Sequence, residues 1–286
     1  MKNLFHIGYH KTATTWFQKK FYPFLENYIQ VERSKIRDFF YENKFQDFSS
    51  DKNLIFCDEE LSGNIHNGAY LGLFSEYIAT KISKFENPQV IIFIRNQYDI
   101  IVSSYLQYIK EGGNYSFLRY IEHKEFDRSN RTSLFSFSHF DFHNLILTYE
   151  SLLGKENVHV YLFEDFLSDQ KSFISSFIKN HNLEIDIEKI DFTKNNNSYS
   201  YISLFLARII NAFTRKNVLY KYYIVHLPFI YEYAREILRR IKIFPVKSKS
   251  FINEELKQLI KQKYSESNKS LINEYNLDLE KYNYPL

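Results

Sequence analysis

Four short apolar runs, "NLFHIG" from Asn3, "NLIFC" from Asn53, "QVIIFI" from Gln89 and "VHVYLF" from Val158, are separated by segments with helical periodicity. That alternation constrains the fold more than any other feature. A short apolar run bounded by polar residues reads as a buried strand, and strands joined through helices require crossover connections and a parallel sheet covered on both faces. The first run leads into a helix on which Trp16, Phe17, Phe21, Phe24 and Leu25 share a face. "QVIIFI" passes straight into "RNQYDIIVSSYLQYIKEGG", where Ile101, Tyr105 and Ile109 form one stripe and Gly112 and Gly113 supply the stop. Further helices are expected over "AYLGLFSEYIATKISKF", "LILTYESLLG" and "SDQKSFISSFIKNH", with a polar loop at 112–138. The expected architecture is an α/β domain of three layers over residues 1–190. A helical part of the same domain follows at 191–286, with its last helix near 253–276.

The 286 residues suffice for one large domain. Hydrophobic residues at 44% and charged ones at 25% exclude a disordered chain. The single cysteine, Cys57, excludes an internal disulfide and a thiolate zinc site, and fits a reducing, cytoplasmic setting. The N-terminal apolar run is too short for a signal peptide, and no stretch of eighteen uncharged apolar residues occurs. Between Tyr201 and Ser250 ten Lys/Arg stand against two Glu, a local balance of +8 that leaves −5 for the rest of a chain whose total is +3. This stretch reads as a solvated helix face, a dock for an anionic glycan, or a peripheral contact with an anionic membrane surface, since Tyr220, Tyr222, Tyr223, Phe229 and Tyr231 interleave with its charges. No nucleic-acid-binding motif accompanies it.

In parallel sheets, ligands bind at the carboxyl ends of the strands. Three of the expected strands end in polar groups suited to an anion: Lys11 and Thr12 after the first, Asp58, Glu59 and Glu60 after the second, Arg95 after the third. The loop "GYHKTATT" offers backbone N–H groups at a helix start, a mobile cation, and the hydroxyls of Thr12, Thr14 and Thr15, which suits phosphate or sulfate. The competing explanation is that its threonines only cap a helix.

This loop, together with "FIRNQYDIIVSS", resembles the sulfotransferases that use 3′-phosphoadenosine 5′-phosphosulfate (PAPS), whose first loop reads roughly Lys-Ser/Thr-Gly-Thr-Thr-Trp. Lys11, Thr12, Thr14, Thr15 and Trp16 match that pattern, and Ala13 replaces the glycine, which is expected to demand a negative φ. Arg95 and Ser103 reproduce the family's strand-end arginine and the serine eight residues on that hold the 3′-phosphate. "LIFCDEELSG" is similar to the carbohydrate-type, bacterial members where a glutamate follows the second strand, and the closing segment "ESNKSLINEYNLDLEKYNYPL" is similar to their last helix.

The resemblance implies a P-loop-like fold and sulfuryl transfer to a hydroxyl of a carbohydrate or glycolipid, with 3′-phosphoadenosine 5′-phosphate (PAP) as product and no metal required. Lys11 would stabilise the leaving group and Glu59 would act as general base, with His10 as its rival. Thr12, Ala13, Thr14, Thr15, Trp16, Arg95 and Ser103 would bind the cofactor. Read from the residues themselves, His10, Glu60, His139 and His143 are candidates to face the acceptor, against a structural role for His10 and, for His139 and His143, an isolated metal-binding pair or plain core or surface use. His139 and His143 stand at the i, i+4 spacing of one helix face. Two other functions remain open: a P-loop-type small-molecule kinase, disfavoured by the missing Gly-Lys-Ser/Thr, and a catalytically inactive nucleotide- or polyanion-binding module.

Overall fold

The computed structural model describes residues 2–68, 73–122, 134–193, 201–213 and 250–286, together with Ile224, Val225, Leu227, Tyr233 and Ile237. The described contacts fall into two compact units. The first holds residues up to Asn96, Ser138–Thr193 and Tyr264–Leu286; the second holds Gln97–Phe137 and Lys194–Lys263. This division crosses the limit expected at residue 190, because 97–137 clusters with the segment after 193 and 264–286 clusters with the first unit.

The first unit is built on five parallel strands, β1 (Asn3–His6), β2 (Tyr28–Gln30), β3 (Asn53–Cys57), β4 (Pro88–Ile94) and β5 (Val158–Leu162), in the spatial order β2-β3-β1-β4-β5. The four apolar runs are β1, β3, β4 and β5. The three-residue β2 is an edge strand whose Ile29 is exposed, which is why no apolar run announces it. β1 lies between β3 and β4, pairing His6 with Cys57 on one side and with Ile91 on the other. Because the chain leaves β3 and returns at β4 on the far side of β1, the carboxyl end of β1 sits where such sheets bind ligands.

Alternate strand residues face opposite layers. Leu4, Ile55, Cys57, Ile91 and Phe93 pack with Phe17, Phe21, Tyr22, Phe166, Ile174 and Phe177. On the other face Phe5 stacks on Phe56 at 4.5 Å and meets Phe40 and Phe85 edge-on. The sheet is therefore covered on both sides, in the P-loop-like three-layer arrangement expected. The first helical stretch is irregular: α1 (Thr14–Trp16) runs into a π-helical turn (Phe17–Phe21) and a 3₁₀ turn (Tyr22–Phe24). The wider π turn rotates the buried face onto Phe17, Phe21 and Tyr22, and Phe24, expected on that face, is 40% exposed.

The next helices of the first unit are α2 (Arg33–Phe40), which the sequence reading missed, and α3 (Leu73–Ile82), whose expected start at 69–72 lies outside the described residues. In the second unit, α4 (Gln97–Lys110) follows β4 directly and buries Ile101, Tyr105 and Ile109 as expected. Gly112 takes φ 109° at its end, a left-handed position open to glycine. The expected polar loop at 112–138 contains a short helix, α5 (Phe117–Ile121), started by the Ser116 side chain, which accepts from the Arg119 N–H; residues 123–133 lie outside the described ones.

The first unit continues with α6 (Phe142–Leu153), α7 (Phe163–Ser168) and α8 (Gln170–His181). Next come α9 (Tyr201–Asn211) in the second unit and α10 (Glu254–Tyr275), within two residues of the expected last helix. Of the ten cations in 201–250, Arg208 alone is among the described residues, where its Nε donates to the Asn114 carbonyl at 3.3 Å. The interleaved aromatics Tyr220, Tyr222, Tyr223, Phe229 and Tyr231 lie outside them. Among the described residues, no helix is long and apolar enough to cross a membrane.

Candidate functional site

The register explains how two stretches eighty residues apart meet. Beyond β1 the chain stays beside β4: the Ile7 N–H donates to the Ile91 carbonyl at 3.1 Å and the Tyr9 N–H to the Phe93 carbonyl at 3.4 Å. Two residues further on each side stand Lys11 and Arg95, and Arg95 Nη1 donates to the Lys11 carbonyl at 3.1 Å. Lys11 is exposed and Arg95 half-buried, its guanidinium 5.1 Å above the Phe163 ring.

The residue after Arg95 is firmly anchored. The Asn96 side chain donates to the carbonyls of Tyr282 and Asn283 at 2.8 and 2.9 Å, its N–H donates to Glu164 Oε1 at 2.9 Å, and the Tyr284 hydroxyl donates to Glu164 Oε2 at 2.9 Å. Burial raises the Glu164 pKa against these hydrogen bonds. The closing segment of the chain thus fixes the end of β4, a role its sequence did not reveal.

The loop itself is held in an unusual shape. Lys11 and Ala13 both adopt left-handed φ values, 67° and 68°. Ala13 therefore does not keep the negative φ expected of it; it takes the glycine conformation with a Cβ attached. The loop nevertheless closes, since the N–H groups of Trp16 and Phe17 both reach the Ala13 carbonyl, at 2.8 and 3.1 Å. The start of a helix is where an anion is favoured.

The threonines are not caps. Ala13 is the capping residue and makes no side-chain bond, while the Thr12 hydroxyl donates to the Tyr9 carbonyl within the loop. The Thr14 hydroxyl is buried with no partner, which costs about 1–3 kcal/mol unless something binds there. Thr15 is exposed. Trp16 packs on Phe21 and Phe166, and its indole N–H donates to the Asp191 carbonyl at 3.1 Å.

Replacing Ala13 by glycine relieves the left-handed strain and restores some unfolded-state freedom, so the A13G protein should be more stable by about 0.5–1 kcal/mol. Chemical denaturation measures this; a loss of stability would mean that the loop is not strained at this position.

After β3, the acidic triplet divides its roles. Asp58 is fully buried and accepts from Arg33 Nη2 at 3.0 Å, Arg33 Nε at 3.2 Å and Arg37 Nε at 3.0 Å, as well as from the Glu60 N–H at 3.1 Å. Burial pushes its pKa up, but these bonds together outweigh it and hold the carboxyl below the usual carboxylate range. Glu59 Oε1 lies 3.3 Å from Arg33 Nη2, and its Oε2 is buried without a partner. Glu60 is half-exposed, with Oε1 3.8 Å from His10 Nε2, and His10 Nδ1 is buried without a partner. Arg33 and Arg37 come from α2, so the contacts that fix this strand end arise from a helix the sequence did not announce.

His139 and His143 do not share a helix face. His139 lies within a 3₁₀ turn (Phe137–Phe140), Asp141 caps α6, and His143 lies beyond the break, where its Nε2 pairs with Glu274 Oε2 at 3.2 Å. His139 instead stacks near Tyr9, ring centroids 5.0 Å apart. Ser103 belongs to the second unit, half-buried on α4.

The chain matches no protein-family model and no curated protein sequence. Among solved structures it is similar to a sulfotransferase from Alicyclobacillus acidocaldarius, with 12% identity, a TM-score of 0.48, and coverage of 74% of this chain and 94% of that one. It is also similar to mouse sulfotransferase SULT7A1 complexed with PAP, with 12% identity, a TM-score of 0.46, and coverage of 93% and 83%.

Proposed function

We propose that this protein is a PAPS-dependent sulfotransferase acting on a hydroxyl of a carbohydrate or glycolipid. The observation that supports the reading most is the 3.1 Å bond from Arg95 to the Lys11 carbonyl: the two cations that a doubly anionic nucleotide would need share one corner of the sheet. The buried, unpartnered Thr14 hydroxyl at the helix start fits an anion of tetrahedral geometry.

When bound, PAPS supplies the activated sulfuryl group. The loop N–H groups with Thr12, Ala13, Thr14 and Thr15 hold its 5′ end, and Trp16 walls it. Arg95, with Ser103 assigned by its spacing, holds the 3′-phosphate. The Lys11 ammonium neutralises charge as it grows on the departing oxygen, which is the main requirement of such transfers. Glu59, oriented by Arg33 through Oε1, takes the acceptor hydroxyl proton on Oε2; Glu60 with His10 forms the alternative base.

Thermal unfolding in the presence of nucleotides tests the reading. PAP at a hundredfold excess over its dissociation constant should stabilise by about 2.7 kcal/mol, a rise of several degrees in melting temperature. ATP with Mg²⁺ should leave it unchanged. A rise with Mg-ATP and none with PAP would favour a kinase.

A further inference from the structure

The peptide that follows Arg95 is enclosed by a ring of hydrogen bonds. The Asn96 side chain donates to the Tyr282 and Asn283 carbonyls at 2.8 and 2.9 Å, the Tyr284 hydroxyl donates to Glu164 Oε2 at 2.9 Å, and Glu164 Oε1 accepts the Asn96 N–H at 2.9 Å. The ring thus closes on the residue where it began. Its parts come from the end of β4, the first turn of α7 and the last residues of the chain. Asn283 holds φ 53°, a left-handed value that asparagine tolerates, and the Tyr284 N–H turns back to the Leu279 carbonyl at 3.2 Å. The buried Asn268 side chain of α10 donates to the Pro285 carbonyl at 2.9 Å, which seats this hook on the first unit. Asn96 and Tyr284 are buried and Glu164 is half-buried.

Arg95 itself is located from two sides, by the Lys11 carbonyl at 3.1 Å from Nη1 and by the ring of Phe163, the neighbour of Glu164, 5.1 Å from its guanidinium. A two-oxygen grip on a phosphate favours a guanidinium plane fixed before the anion arrives, because the freedom of a long side chain is otherwise lost on binding. The ring fixes the backbone from which that side chain springs. We infer that Glu164, Asn96 and Tyr284 are positioning residues that set the preference for a nucleotide carrying a 3′-phosphate, by holding the chain at Arg95. The inference rests on the sulfotransferase reading above, in which Arg95 takes the 3′-phosphate. Since the loop after β1 holds the 5′ end in that reading, loosening the ring should weaken the grip on one phosphate and spare the other.

The test is titration calorimetry of the full chain with PAP and with adenosine 5′-phosphate, alongside thermal unfolding. Tyr284→Phe removes one hydroxyl and keeps the aromatic ring; it should weaken PAP about fivefold, within what one hydrogen bond contributes, and change adenosine 5′-phosphate by less than about twofold. Glu164→Ala should weaken PAP about tenfold, and Glu164→Gln, which keeps an acceptor for the Asn96 N–H, should recover most of that loss. Tyr282→Phe breaks a bond of the same hook outside the ring, from the Tyr282 hydroxyl to Asp165 Oδ1 at 2.6 Å, and should leave the ratio of the two affinities unchanged. A lower melting temperature with the ratio intact in Tyr284→Phe and Glu164→Ala, or equal weakening of both nucleotides, would reduce the ring to a structural anchor and overturn the inference while the sulfotransferase reading stands. So would a Tyr282→Phe protein that loses the ratio as fully as Tyr284→Phe. If the unmodified protein does not prefer PAP to adenosine 5′-phosphate, that reading fails and takes this one with it.

Discussion

Asp58→Asn should lower the melting temperature by roughly 6–10 °C, corresponding to about 3 kcal/mol at the usual scaling for a chain of this size. The substitution keeps the side-chain volume and the acceptor for the Glu60 N–H, so packing and the local turn survive. What it removes is the charge between two guanidiniums, Arg33 and Arg37, each bonded to a carboxylate that has no exposed surface. Breaking a buried pair costs about 3–5 kcal/mol when the remaining charge cannot escape. Here the arginine side chains are 40% and 47% exposed and can turn to water, which places the loss at the lower end of that range. Because Arg33 also contacts Glu59, the same substitution should reduce turnover beyond its effect on stability. A melting shift below about 2 °C would mean that the cluster does not hold the end of β3.

Lys11→Ala should reduce sulfuryl transfer about 100- to 1000-fold while leaving PAP affinity within a few-fold. A cation acting where charge develops in the transition state contributes about 2.7–4 kcal/mol to the barrier, whereas the loop N–H groups and Arg95 remain to bind the ground state. Alanine at this position inherits the φ of 67° without added cost relative to lysine, since both carry a Cβ. Lys19→Ala, an exposed lysine on the following helical turn, is the control and should behave as the unmodified protein. Equal loss of PAP binding and turnover in Lys11→Ala would make the lysine a ground-state anchor instead.

The sheet was legible because β1, β3 and β4 are buried on both faces and β5 at both its ends, so that all four read as short apolar runs, with the anion-suited residues falling at three adjacent strand ends. The edge strand β2 and helix α2 were not legible. β2 is three residues long, and α2 matters through Arg33 and Arg37, whose partner lies more than twenty residues away. Local periodicity carries no record of such a pairing. The same limit hid the Asn96 bonds to the closing segment, 186 and 187 residues distant. Ala13 was misread in conformation, because the rule that alanine avoids positive φ is a local preference of about 1–2 kcal/mol. The bonds that close the loop on its carbonyl override it. His139 and His143 had the spacing of a helix face, but Asp141 accepts from the Asn144 N–H and starts the helix between them.

The central claim is that the corner formed by Lys11 and Arg95 holds the two phosphorylated ends of one nucleotide. Titration calorimetry with PAP and with adenosine 5′-phosphate, which lacks the 3′-phosphate, measures this directly. One PAP should bind per chain, adenosine 5′-phosphate should bind at least tenfold more weakly, and Arg95→Ala should bring PAP down to that weaker level. Equal affinity for the two nucleotides, or undiminished PAP binding by Arg95→Ala, would contradict it.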